Sequence, residues 1–132
     1  MDTVLFACVH NAGRSQVVAA WFNKVCDLAK ASAISAGTQP GERVHPEVVQ
    51  VMSEEGINLA SAKPQFLSTE LAQQATLLVT MGCGNACPYV PGLKKLDWLL
   101  TDPKGQPIEI VRKIRDEIRA LVTELAEKRN WI

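Results

Sequence analysis

The sequence predicts an α/β layer fold on a parallel sheet, because short apolar runs of strand character alternate with segments of helical period along the chain. Two observations carry this. Residues 76–81 (Thr-Leu-Leu-Val-Thr-Met) form a compact apolar and β-branched run, the clearest strand in the chain. Residues 107–128 repeat Ile108, Val111, Ile114, Ile118, Leu121, Val122 and Leu125 at helical spacing, which predicts a long closing helix with one apolar face. The other elements follow in order. Residues 3–7 (Thr-Val-Leu-Phe-Ala) read as a buried first strand, and 16–28 as a helix with Val17, Val18, Trp21, Val25 and Leu28 on one side. Residues 31–36 make a short second strand that stops at Gly37, followed by a polar loop over 38–43. A helix is expected over 45–55, with Pro46 in its first turn and Gly56 as its stop. A fourth strand is expected over 96–100, after a Pro- and Gly-rich stretch from 83 to 92. Such an order implies right-handed crossovers. In open sheets of this kind ligands bind beyond the carboxyl ends of the strands, where Cys8, Ser35, Cys83 and Asp102 fall.

The first of those strand ends is the most informative. Cys8-Val9-His10-Asn11-Ala12-Gly13-Arg14-Ser15 places a thiol, five intervening residues and an arginine between a strand and a helix. The backbone N–H groups of Val9, His10, Asn11, Ala12 and Gly13, with the positive end of the helix dipole, are expected to cradle a tetrahedral anion. Arg14 adds a planar charged fork able to grip two oxygens. A helix N-terminus, a cation and the Ser15 hydroxyl together favour a thiolate at Cys8. Asn11 tolerates left-handed backbone angles and Gly13 has no side chain to obstruct a tight turn. Against this stands a buried structural cysteine with an unrelated surface arginine; the strand before the motif and the amphipathic helix after it favour the cradle.

At 132 residues the chain is sized for one domain, taken as 1–132. Fourteen Lys and Arg balance fourteen Asp and Glu, so the composition points to neither a nucleic-acid nor a membrane-surface partner, and anion binding must be local. No secretory segment and no apolar run of spanning length is evident, and the expected location is the cytoplasm. In that reducing compartment the four cysteines are read as catalytic, metal-binding or core residues rather than permanent disulfides. Cys26, on the apolar face of the first helix, is read as structural. A zinc site using Cys83 and Cys87 lacks a second pair of ligands, so no metal and no cofactor is expected.

Nearly the whole chain then resembles a known family. Cys8-Val-His-Asn-Ala-Gly-Arg-Ser-Gln, Ser35-Ala-Gly-Thr, His45-Pro-Glu, Val51-Met, Val79-Thr-Met-Gly-Cys83, Cys87-Pro, and Trp98 with Asp102-Pro103 are similar to the low-molecular-weight protein tyrosine phosphatases and, within that fold, to arsenate reductases. The resemblance implies three layers, a four-stranded parallel sheet with helices on both faces. It also implies Cys8 as nucleophile, Arg14 as oxyanion clamp, Ser15 as thiolate stabiliser and Asp102 as general acid.

Phosphatase and reductase share thiolate attack on a tetrahedral centre and part at the second step: water finishes a hydrolysis, whereas taking arsenic from +5 to +3 needs two electrons from a further thiol. Cys83 and Cys87 are therefore the discriminating residues. The expectation is a relay in which Cys83 attacks Cys8 to release arsenite, Cys87 attacks Cys83, and thioredoxin or another thiol reductant restores the pair. Phosphate or sulfate is expected to compete with arsenate. The short Gly-Cys-Gly-Asn-Ala-Cys-Pro segment resembles actinobacterial-type reductases, some of which use a low-molecular-weight thiol with Cys8 as the one indispensable cysteine. A tyrosine phosphatase is the other alternative, although Asp102-Pro-Lys-Gly-Gln-Pro has no tyrosine beside the acid and the one tyrosine is Tyr89. An arsenic-binding regulatory protein would leave Arg14 and Asp102 without purpose. Some relatives bind potassium beside the loop through acidic residues; Ala19 and Gln65 stand at those positions, so no such site is expected. His10 either aids anion binding or fills space, and His45 is read as a helix-start residue.

Overall fold

The computed structural model describes residues 2–81 and 90–132. Strand β1 (Asp2–Cys8) leads into helix α1 (Arg14–Val25), then β2 (Ala31–Gly37), α2 (Pro46–Ser53), a short α3 (Thr69–Ala72), β3 (Leu77–Thr80), β4 (Lys94–Asp97) and α4 (Ile108–Lys128). The strands form one parallel sheet in the order β2-β1-β3-β4. Its register pairs Cys8 with Gly37 and Ala7 with Thr80, so the carboxyl ends of β1, β2 and β3 finish together.

Period-two alternation in β1 divides the interior into two cores. Val4 and Phe6 face a large one shared with α1, α2 and α4; Leu5 and Ala7 face a smaller one containing Ala36, Leu67, Ala72 and Leu78. These are the expected three layers, with the second face covered thinly by α3 and the segment before it. Phe6 meets Phe22 edge-on at 5.6 Å between ring centroids, and Phe22 meets Trp131 at 5.5 Å. Side chains of this kind contribute about 1.5–3 kcal/mol each when fully buried.

Three local expectations need correction. Helix α1 begins at Arg14 and ends at Val25, because Asp27 takes over the chain: its carboxylate accepts from Ala29 N–H at 3.0 Å and its carbonyl from Lys30 and Ala31. Leu28 is turned out to solvent, 53% exposed, and is not part of the helix's apolar face. Strand β4 starts two residues earlier than the apolar run 96–100 suggests, since β3 offers only four residues to pair with and aligns Leu77 with Lys94. Leu99 lies beyond the ladder, fully exposed, while Lys94 and Lys95 give this edge strand the charge that discourages further pairing. Helix α3 escaped the sequence reading; four residues are too few to show a period, yet Ser68 caps it by accepting from Leu71 N–H at 3.0 Å.

Helices α2 and α4 are joined by charge. Arg112 grips the Glu54 carboxylate with Nε and Nη2 at 2.8–3.3 Å, and buried Arg115 donates to Glu54 Oε1 and to the Val51 carbonyl, both at 2.9 Å. Hydrogen bonds from Arg112, reinforced by Arg115, hold the Glu54 carboxyl at about 2 against its ordinary 4.5. A depressed carboxyl stabilises the fold above its unfolded value and loses that contribution as pH falls toward the folded one. The expected result is that wild type resists urea better than Glu54→Gln at pH 7, and that the gap closes between pH 4.5 and 2. Urea midpoints across that range check it; a gap independent of pH would contradict the ion-pair origin.

Candidate active site

The site grows from the end of β1. Cys8 is the last residue of the strand and α1 begins at Arg14, so residues 9–13 make the turn between them. The loop's carbonyls are tied outward: Cys8, Val9, His10 and Ala12 accept from the backbone N–H groups of Thr38, Gln39, Gly41 and His45 at 2.8–3.2 Å. A loop held by its carbonyls offers its N–H side to an anion. Asn11 takes the left-handed conformation expected of it, φ 50°, and its N–H points at Cys8 Sγ, 3.3 Å away. Gly13 is needed for space rather than for turning: its φ is −140°, and a Cβ there would lie 2.9 Å from the Pro103 ring and 3.4 Å from His45.

Cys8, buried among core residues, has Ser15 Oγ at 2.9 Å from its sulfur. Asn11 Nδ2 donates to that same hydroxyl at 2.7 Å. On the other side of the cradle Arg14 Nη1 donates to the Leu100 carbonyl at 3.5 Å, and its Nη2 lies 3.7 Å from Asp102 Oδ2. Asp102 Oδ1 accepts from Lys104 N–H at 3.0 Å, a turn that fixes the carboxylate over the loop while leaving it nearly half exposed. The fold thus brings Cys8, Asn11, Gly13, Arg14, Ser15 and Asp102 together at one edge. Ser35 is inside β2, where its carbonyl accepts from Gln65 Nε2 at 2.8 Å. His10 Nδ1 is 3.0 Å from the Gln39 carbonyl; His45 stands at the helix start, capping α2 one residue ahead of its first turn rather than opening a helix over 45–55, and its N–H donates to the Ala12 carbonyl. Cys83 and Cys87 lie outside the described residues. Cys26 is buried in the core, and burial pushes its thiol up, the state of an inert structural cysteine.

Two residues of the site were not singled out as functional by the sequence reading. Gln16 Nε2 donates to both the carbonyl and Oδ1 of Asn11 at 3.1 and 3.2 Å, and Gln65 N–H donates to that Oδ1 at 3.0 Å. The second contact spans 54 positions and has no local signal; the first comes from the residue directly after the Arg-Ser pair, where the motif alone assigns no role.

A cysteine at a strand end, a carbonyl-pinned loop and an arginine opening the next helix, crossed by an aspartate from the far edge of the sheet, define the class of folds that hold oxyanions over a thiol. The chain belongs to the low-molecular-weight phosphotyrosine protein phosphatase family, whose profile matches residues 3–130. Among curated relatives, arsenate reductase 1 of Bacillus cereus is 33% identical over 129 residues, covering 95% of this chain and 94% of its own. Among solved structures, a thioredoxin-dependent arsenate reductase of Corynebacterium glutamicum superposes with a TM-score of 0.83 at 35% identity over 97% of this chain, which spans 61% of that longer one. A low-molecular-weight protein tyrosine phosphatase from T. tengcongensis superposes at 0.85 with 28% identity, covering 97% and 99%. Among the described residues, no helix is long and apolar enough to cross a membrane.

Proposed function

We propose that this protein reduces arsenate to arsenite in the reducing interior of the cell, as a step in arsenic resistance. The observation that carries the reading is the Cys8 sulfur bonded by Ser15 and Asn11 on the loop that Arg14 closes, in a chain whose sequence supplies two further thiols directly after β3. The similarity to arsenate reductases along almost the full chain supports it.

Arsenate sits on the N–H side of residues 9–13 with two oxygens against the Arg14 fork. The Cys8 thiolate attacks arsenic, an S–As bond forms, and the departing oxygen leaves as water with its proton supplied by Asp102. The Cys83 thiolate then attacks Cys8 Sγ. An S–S bond forms, the S–As bond breaks, and its electron pair stays on arsenic, which departs as arsenite. Cys87 attacks Cys83, returning the Cys8 thiolate and leaving a Cys83–Cys87 disulfide, which thioredoxin or another thiol reductant reduces. Phosphate and sulfate, being tetrahedral anions of similar size, compete for the cradle.

The test is arsenate-dependent NADPH consumption with thioredoxin and thioredoxin reductase, run beside Cys83→Ser and Cys87→Ser. Turnover that vanishes in both variants supports the relay. Turnover that survives in them but is lost with Cys8, with a small thiol as electron donor, replaces it by the single-cysteine route. Fast hydrolysis of p-nitrophenyl phosphate without arsenate reduction makes the protein a phosphatase. In the reductase assay Asp102→Asn is expected to lower kcat about 100-fold while KM changes little, because the proton is needed only as the oxygen leaves; a variant as fast as wild type would remove Asp102 from the acid role.

A further inference from the structure

The hydrogen-bond directions around Asn11 can be followed to the thiol. A backbone N–H can only donate, so the Gln65 N–H at 3.0 Å identifies its partner on Asn11 as the carbonyl oxygen Oδ1. Gln16 Nε2 reaches that same oxygen at 3.2 Å and the Asn11 backbone carbonyl at 3.1 Å. With Oδ1 held between two donors, the amide must turn Nδ2 toward Ser15 Oγ, 2.7 Å away. The Ser15 oxygen then accepts, and its own proton is free to point at Cys8 Sγ, 2.9 Å away. A thiolate accepts that proton, whereas a thiol would compete for it with its own.

We infer that Gln16 is a positioning residue for the Cys8 thiolate, acting through Asn11 and Ser15 without touching substrate. Its amide is buried, so its donors are committed inside the protein, to Asn11 and, at 3.5 Å, to the Lys63 carbonyl. It also braces the left-handed Asn11 backbone, whose N–H is the one aimed at the sulfur. Without the Gln16 donor, Asn11 Oδ1 keeps only Gln65 and the amide can swing, freeing Ser15 to turn its hydrogen elsewhere. The assignment rests on Cys8 being the reactive thiol of the proposed function, but not on arsenate being the substrate.

The experiment follows alkylation of Cys8 by iodoacetamide against pH, with the Cys8 peptide quantified by mass spectrometry so that the other cysteines do not interfere. Gln16→Met keeps length and removes the donors; Gln16→Glu keeps shape and replaces the donor by a carboxylate. The charged and titratable residues of the neighbouring segments are common to all three proteins: His10 and Arg14 in the loop, Glu42, Arg43 and His45 in the segment pairing with it, Lys63, and Asp102 beyond β4. The midpoint is expected to rise about one pH unit in both variants, with alkylation about tenfold slower at pH 6 and equal to wild type at pH 9, where the thiol is ionised in any case. A merely structural role would change both pH values together and leave the midpoint in place. If Gln16→Met fails to fold, Gln16→Glu decides. Midpoints superimposable on wild type overturn the assignment. A shifted midpoint in a protein that does not reduce arsenate would uphold it while disproving the proposed function.

Discussion

Cys8→Ser is expected to lower arsenate-dependent turnover by at least about 10⁴-fold while leaving the fold in place. The substitution changes one atom in a buried position, and the hydroxyl can keep the bonds that Ser15 and Asn11 N–H make to the sulfur. What it cannot supply is a nucleophile ionised near neutral pH, or a sulfur from which a second thiol can take over the bond. Removing the attacking atom of a concerted group typically costs as much as removing the whole group. Arsenite release under thioredoxin coupling, measured beside the melting temperature, tests this. More than a tenth of wild-type activity in a folded variant would displace Cys8 from the role of nucleophile.

Gly37→Ala is expected to cost about 3 kcal/mol, equivalent to roughly 10 °C in Tm, and to disable the site together with the fold. Gly37 is the last residue of β2, paired with Cys8, and a Cβ there would lie 2.5 Å from the Val9 carbonyl oxygen, 2.9 Å from the Asn11 nitrogen and 3.0 Å from the His10 carbonyl carbon. All three atoms are backbone, so no rotamer change relieves the clash; either the strand ends part or the loop moves, carrying the Asn11 N–H away from the sulfur. Gly92→Ala is the matched control. Its φ of +81° makes alanine strained, at about 1 kcal/mol, but its Cβ would meet nothing within 4 Å among the described residues. Gly37 has no positive φ to strain, so a Gly37 variant that loses no more Tm than Gly92→Ala would show that the loop gives way and that the close approach is not what Gly37 protects.

The contrast between those glycines shows where the sequence is readable. The strand–loop–helix around Cys8 is legible because the information is local: an apolar run, a residue that accepts φ 50°, an arginine, then helical period. The long helix α4 is legible from its apolar repeat, and the parallel three-layer arrangement from alternation. What escaped was decided either by a turn beside the residue or by partners distant in sequence. Leu28 fits a helical stripe until Asp27 captures Ala29; the run around Leu96 fits a strand until the length and register of β3 move it back two residues. Gly37 reads as a strand terminator, yet its importance comes from Val9 and Asn11 against it. Gln65 enters the site through a backbone N–H, which no side-chain pattern can announce.

The sequence separations in the site have a consequence in time. Gln65 lies 54 positions after the Asn11 it supports, and the Leu100 carbonyl that receives Arg14 lies 86 positions beyond it. During synthesis the cysteine therefore emerges long before the groups that orient its surroundings, and parallel pairing of β1 with β3 must wait for the same distant segments. In a nascent or partly folded chain the sulfur therefore lacks part of this hydrogen-bonded setting, which is complete only when the last strands have docked. The geometry around Cys8 is in that sense a late product of folding, so the rate at which alkylation of Cys8 reaches its native value during refolding would report completion of the sheet.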